Sequence, residues 1–455
     1  MKKRIGAVVA VIVVVGLGFA GWLVLGRDPM SFAGNATVAL EDYRDATVTG
    51  APAQLAGAEL VKRGEYLTHA ADCQACHTVP GGTPFAGGFA INMPFGTLYS
   101  TNITPDKETG IGTYTDAQFL AAVHQGIRAD GDYLYPAMPY TSYTYMTDAD
   151  ALAIKAYLFT LAPVHAPAKP NQLSWPFSQR RLLAAWTAMF NPDERFRPNI
   201  GQSPQWNRGA YLAEAMGHCG ECHTPRNLAY ALDNRSKFAG ALTAGWRAYN
   251  ITGDKESGIG DWNDEDIYLY LSTGHASGHG GAAGPMGEAT DDSLSYLVPD
   301  DVHALVSYLR SIPAHASDLP RTVTTPAPPS HKEGMPVADA DARGEKIFAG
   351  ACASCHDWTG VSPVTGFATL TGVRAVNDPS AANVAQTVVH GVNRTTAGGR
   401  IFMPAFGAGY SDDDIAAVAN YVTARFGAKG AHLTAKDVAD LRAQAAQPHK
   451  EAPDG

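Results

Sequence analysis

Three copies of Cys-x-x-Cys-His punctuate the chain: Cys73, Cys76 and His77; Cys219, Cys222 and His223; Cys352, Cys355 and His356. Together they use all six cysteines. Two thiols at this spacing can add to the two vinyl groups of a haem, and the adjoining imidazole then lies under the iron as an axial ligand. A zinc reading needs the pairs to combine into four-ligand sites, and three pairs strand one. A thioredoxin-like reading needs a strand before and a helix after each pair, which the Gly- and Ala-rich flanks do not supply. Each copy therefore reads as one covalent haem c, three in all.

A haem that only exchanges electrons is normally closed on both faces, and a methionine opposite the histidine raises its potential. Such a methionine must come from a loop well after the motif. Met138 in Tyr135-Pro136-Ala137-Met138-Pro139-Tyr140, Met286 in Ala283-Gly284-Pro285-Met286-Gly287 and Met403 in Ile401-Phe402-Met403-Pro404 meet that condition. Their competitors are Met93 in the first repeat, His275 and His279 in the second, and His390 in the third. Pro80 and Pro225 are suited to placing a carbonyl against the other ring nitrogen of the proximal histidine. Arg226 is a candidate partner for a haem propionate, with a plain surface arginine as the alternative.

The elements that must position these residues repeat with them. A lead helix reads Arg63-Gly64-Glu65-Tyr66, then Arg208-Gly209-Ala210-Tyr211, then Arg343-Gly344-Glu345-Lys346-Ile347-Phe348. Its glycine admits close approach of another helix, and the aromatic would fill the seam. That partner is a closing helix, opened by Thr147-x-x-Asp150, Pro299-Asp300-Asp301 or Ser411-x-x-Asp414. The first two repeats also share Asn102-Ile103-Thr104-Pro105-Asp106 and Asn250-Ile251-Thr252-Gly253-Asp254, each followed by a helix with a cap-like start at Thr115 or Asn263. The third repeat lacks this segment and is the divergent one.

At 455 residues the chain exceeds one compact core, and three units of ordinary size fit it. A net charge of −10 and no basic run beyond Lys2-Lys3-Arg4 set nucleic acid aside. That basic start precedes an uncharged apolar run from Ile5 to Leu25, long enough to cross a bilayer and favoured over a cleaved signal ending near Ala20. Its basic end would stay cytoplasmic, placing the haem domains on the periplasmic side of the inner membrane. Pro-rich connectors separate the repeats.

This order of motifs, from Arg63 to Phe426, resembles the three-haem cytochrome c subunits of bacterial membrane-bound dehydrogenases. The resemblance implies a mainly α fold of three tandem class I cytochrome c domains; the apolar run adds an N-terminal transmembrane helix, a departure from several members of the family that look signal-cleaved. The partition is an anchor or signal over 1–26, a lead-in over 27–60, cytochrome domains over 61–165, 205–315 and 339–428, connectors over 166–204 and 316–338, and a polar tail over 429–455. The resemblance also implies axial pairs His77–Met138, His223–Met286 and His356–Met403. It makes the chain an electron-transfer subunit with no catalysis of its own. Its partners would be a catalytic dehydrogenase subunit holding pyrroloquinoline quinone, flavin or molybdenum, a small third subunit, and ubiquinone. An aldehyde or alcohol dehydrogenase is the favoured complex, with sugar or gluconate as further options. The alternatives are a haem-bearing subunit of a terminal oxidase and a haem peroxidase.

Overall fold

Each lead helix carries its glycine where any side chain would collide with the backbone of a second helix. A Cβ on Gly64 would strike the carbonyl of Ala153, one on Gly209 that of Ala304, and one on Gly344 that of Ala417. The lead helices Leu60–Ala70, Pro204–Tyr211 and Ala342–Ile347 thus cross the closing helices Asp148–Leu158, Pro299–Arg310 and Asp412–Phe426 nearly backbone to backbone. In this computed structural model, residues 28–34, 36–328, 342–396 and 399–444 are described. The expected caps form: Thr147 accepts from the Asp150 amide, and Ser411 with Asp414 makes a full capping box. The Pro299–Arg310 helix buries Val302, Leu305, Val306 and Leu309 on one face. Such side chains contribute about 1.5–3 kcal/mol each.

The first two repeats do not stand apart. They share one continuous hydrophobic cluster running from Tyr66 and Leu67 through Tyr211 and Leu212 to Leu309. The lead-helix tyrosines cross between them: Tyr66 donates to Asp301 at 2.6 Å, and Tyr211 donates to Asp150 at 2.5 Å. Each tyrosine also receives an amide at the start of the other repeat's closing helix, from Val298 and Thr147 respectively. The aromatics therefore bridge two repeats as well as filling their seams. The lead-in chain lies over this junction, with Phe32 against Trp206 and Tyr308 and Val48 fully buried.

The third repeat has its own core around Phe348, Val418 and Tyr421. It contacts the second repeat through, among others, Asn383, which accepts from the Arg247 amide and donates to the Arg247 carbonyl. The segment read as a polar tail contains the helix Ala435–Gln444, docked on this core by Val438 and by Arg442, which pairs with Asp412 at 2.7 Å.

The expected fold class needs two corrections. Among the described residues no helix is long and apolar enough to cross a membrane. The Ile5–Leu25 segment read as a transmembrane helix lies outside them. The mainly α expectation also missed a recurring strand component. Among the described residues four small antiparallel sheets occur, including Ala90–Met93 with Gly96–Tyr99 and Val392–Thr396 with Gly399–Met403. Their strands are two to five residues long, too short for a periodic pattern to betray.

One buried group makes this fold sensitive to acid. Burial, reinforced by the Arg195 cation, pushes the His124 imidazole down to about 4. The unfolded chain takes up this proton first, so stability is complete above pH 6.5 and falls as pH drops towards 4. The loss is about 3 kcal/mol. Urea denaturation at pH 7 and pH 4 should show His124→Gln losing less stability on acidification than the parent; equal losses would remove His124 as the cause.

Candidate haem site

All six cysteines, the three motif histidines and Met138, Met286 and Met403 line one connected cavity of about 1730 Å³ that runs through the three repeats. Short helices hold the motifs at its wall: Cys73–His77, Gly220–His223 and Ala353–His356. In the second and third repeats a single π-helical turn, Leu212–Met216 or Phe348–Cys352, extends the lead helix towards the motif. The methionines arrive differently. Met138 sits in a turn, whereas Met286 lies in the helix Gly284–Asp292 and Met403 ends a strand, so only the first conforms to the loop expectation.

Each motif imidazole is oriented by a backbone carbonyl. His77 Nδ1 donates to Thr101, His223 Nδ1 to Tyr249 and His356 Nδ1 to Ala368, all at 2.6 Å. These are not the carbonyls expected after Pro80 and Pro225; Pro225 instead accepts the Asp233 amide. Burial holds all three imidazoles below their ordinary range, against the upward pull of the carbonyl bond. A neutral ring with Nδ1–H engaged leaves the Nε2 lone pair available to a metal.

The true acceptors explain the duplicated Asn-Ile-Thr segment. Thr101 and Tyr249 immediately precede Asn102 and Asn250. Each asparagine accepts from the amide two residues on, Thr104 or Thr252, and donates to a carbonyl after its closing helix, Val164 or His315. Asp106 and Asp254 then close matching turns on Thr109 and Ser257. The segment therefore ties the histidine's acceptor to the closing helix. The third repeat, lacking it, uses Ala368 only twelve positions after its histidine.

The rival ligands are otherwise placed. Met93 borders the cavity at the end of a strand, and His279 borders it stacked on Trp262 with Nε2 3.1 Å from Asp266. His275 and His390 do not line it. Arg226 lines the same cavity and pairs with Glu221 at 2.6 Å within the second motif. The first two motifs face one another. Gln74 donates to Asp292 beyond Met286, while Thr141 and Ser142, beyond Met138, donate to Glu221.

Cys73, Cys219, Cys222 and Cys352 are held away from the thiolate form that a redox pair needs. Burial, with nearby acidic groups, pushes Cys73 and Cys219 up to about 12, and burial pushes Cys222 and Cys352 up to about 11. Redox-active pairs instead depress a thiol to expose thiolate. Among the described residues, no group of three or more His, Cys, Asp or Glu side chains is placed to cage a metal ion. What recurs is a cysteine pair, a neutral imidazole and a thioether on an apolar wall, which fits haem.

Known proteins are similar in sequence to this chain along most of their length. The chain is 41% identical over 403 residues to the fructose dehydrogenase cytochrome subunit of Gluconobacter japonicus, covering 84% of this chain and 82% of that one. The chain belongs to the cytochrome c subunits of membrane-bound dehydrogenases. This cytochrome subunit is also 40% identical to the gluconate 2-dehydrogenase cytochrome c subunit of Pantoea cypripedii, covering 84% of this chain and 89% of the other. Identity is 36% to the cytochrome c subunit of the alcohol dehydrogenase (quinone) of Gluconobacter oxydans, covering 86% of this chain and 84% of that one. Residues 339–422 match the family model of cytochrome c oxidase, cbb3-type, subunit III. The cytochrome subunit is thus an electron-transfer rather than a catalytic component, works with a catalytic dehydrogenase, and carries haem c.

Proposed function

We propose that this cytochrome subunit binds three haems c and passes single electrons from its dehydrogenase towards ubiquinone, with the haem domains on the periplasmic side of the inner membrane. The observation that carries this is the threefold donor set along one connected cavity. Haem held there would supply reversible one-electron exchange at iron. The cysteines would fix it covalently, and His77, His223 and His356 would ligate through Nε2 while their carbonyl bonds keep the ring planes fixed. Met138, Met286 and Met403 would close the opposite faces, excluding water and substrate from the sixth position. Two strong ligands per site leave no place for peroxidase chemistry.

Three of the relatives are named for hydroxyl-bearing molecules, fructose, gluconate and alcohol, against one named for nicotinate. A dehydrogenase oxidising an alcohol or a sugar-type hydroxyl is therefore the partner we favour over an aldehyde oxidiser. The oxidase-subunit reading draws on the family match over 339–422, but that match spans the third repeat alone.

Reductive titration of the purified chain, with haem quantified per polypeptide, tests this reading. Three low-spin haems are expected. Met138→Ala, Met286→Ala and Met403→Ala should each lower one potential and abolish one methionine–iron signature. Fewer than three haems, or a high-spin population in the parent protein, would overturn it.

A further inference from the structure

The turn leading to Met286 is backed by a residue from the third repeat. In the second repeat the helix Asp264–Thr273 ends at Gly274, whose φ is +73° and whose carbonyl accepts the Ala282 amide at 2.7 Å, four residues before Met286. The first repeat builds the same turn. Gly126, with φ +66°, accepts the Leu134 amide at 2.7 Å, four residues before Met138.

What stands behind the two glycines differs. The space a Cβ would take on Gly126 is closed by the ring of Tyr140, two residues beyond Met138. The position two beyond Met286 is Glu288. The space at Gly274 is closed instead by the guanidinium of Arg394, whose Cδ would also lie 3.3 Å from a Cβ on Gly287, the residue next to Met286. Arg394 is 6% exposed, lies on the strand Val392–Thr396, and pairs in register with Ile401 on the strand that ends at Met403.

Its five donors are used across the interface. Nε and Nη2 hold Asp291, on the Met286 helix, at 3.0 and 2.8 Å; Nη1 reaches Ala282 O at 3.1 Å and Gly274 O at 3.5 Å; Nη2 reaches Thr273 O at 3.4 Å. A planar guanidinium can brace a carboxylate and several carbonyls together; an ammonium offers no such fork.

We propose that Arg394 is the positioning residue for Met286, so that the second repeat completes its sulfur ligation only when the third repeat is docked. This rests on the reading of Met286 as an iron ligand. In the first repeat the same support is internal, through Tyr140. The second repeat's coordination is thereby coupled to the hairpin that carries Met403.

The test uses the haem-loaded full chain, reduced, with methionine methyls labelled with carbon-13. A methyl bound to iron sits in the porphyrin ring current and resonates upfield of all others. Met286→Ala assigns the second repeat's signal; if no upfield signal disappears, the ligand reading fails and Arg394 is not at issue. With that signal assigned, Arg394→Met should remove or broaden it and lower the matching potential, while the Met138 signal persists. Arg394→Lys should restore part of it. Should Arg394→Met lose all upfield signals through misfolding, Asp291→Asn decides, because it weakens the brace and keeps the carbonyl contacts; it should shift the Met286 signal alone. A Met286 signal and potential unchanged in Arg394→Met, or in Asp291→Asn where that variant decides, overturns the proposal.

Discussion

Replacing Gly209 by valine should cost about 3 kcal/mol or more and sharply reduce recovery of haem-loaded protein. Overpacking a close-packed site usually costs 1–3 kcal/mol when side chains can shift. Here the obstacle is the backbone carbonyl of Ala304, with Tyr308 Cβ next at 2.9 Å from the added atom, and neither can move without separating the lead and closing helices. Those helices enclose the wall that carries Cys219 and His223, so separating them also loosens the second haem motif. Gly350 supplies the contrast. It lies in the turn Phe348–Cys352, and an added Cβ would meet nothing within 4 Å. Gly350→Ala should therefore be neutral or stabilising by about 0.5–1 kcal/mol through lost unfolded-state freedom. Thermal melts of both variants against the parent decide the matter, and a Gly209→Val protein melting with the parent would refute the steric argument.

The same glycines show what the sequence could reveal. Gly64, Gly209 and Gly344 recur at one place in the three lead helices, as a close backbone crossing demands. The caps at Thr147 and Ser411 were legible because their chemistry is local. The duplicated Asn102 and Asn250 were visible as a repeat, yet their purpose was not: the carbonyl they steady belongs to the preceding residue, whose side-chain type is irrelevant. Pro80 and Pro225 looked better suited because proline is conspicuous, whereas Thr101, Tyr249 and Ala368 contribute only backbone oxygens. Arg394 was invisible for another reason. Its partners lie more than a hundred residues away in a different repeat, and nothing in its own neighbourhood marks it. The exchange of Tyr66 and Tyr211 between repeats was hidden likewise, since a tyrosine filling its own seam carries the same local pattern.

Asp301→Asn should destabilise the first two repeats together, by about 3–5 kcal/mol. Asp301 is buried and accepts from Arg208 Nε at 2.8 Å, Arg208 Nη2 at 2.7 Å and the Tyr66 hydroxyl at 2.6 Å. The asparagine amide removes the countercharge and presents donors where Arg208 and Tyr66 already donate, leaving a buried guanidinium unpaired. The related position in the first repeat should respond less. Asp150 accepts the Gly50 amide and the Tyr211 hydroxyl, and among the described residues no ion pair engages it; Arg63, which matches Arg208, keeps its buried Nε without a hydrogen-bond partner. Asp150→Asn should therefore cost about 1–3 kcal/mol, the range for an unsatisfied neutral bond. Replacing the whole set with apolar groups, Asp301→Leu with Arg208→Met and Tyr66→Phe, should recover much of the loss, because no buried charge remains. Urea denaturation followed by haem absorbance separates these cases. Equal effects at Asp150 and Asp301 would mean that the ion pair adds nothing beyond the tyrosine bond. A larger effect at Asp301, relieved in the triple variant, would place the energetic weight of the two-repeat unit at the Arg208–Asp301 pair, where its exchange of tyrosines is asymmetric in charge.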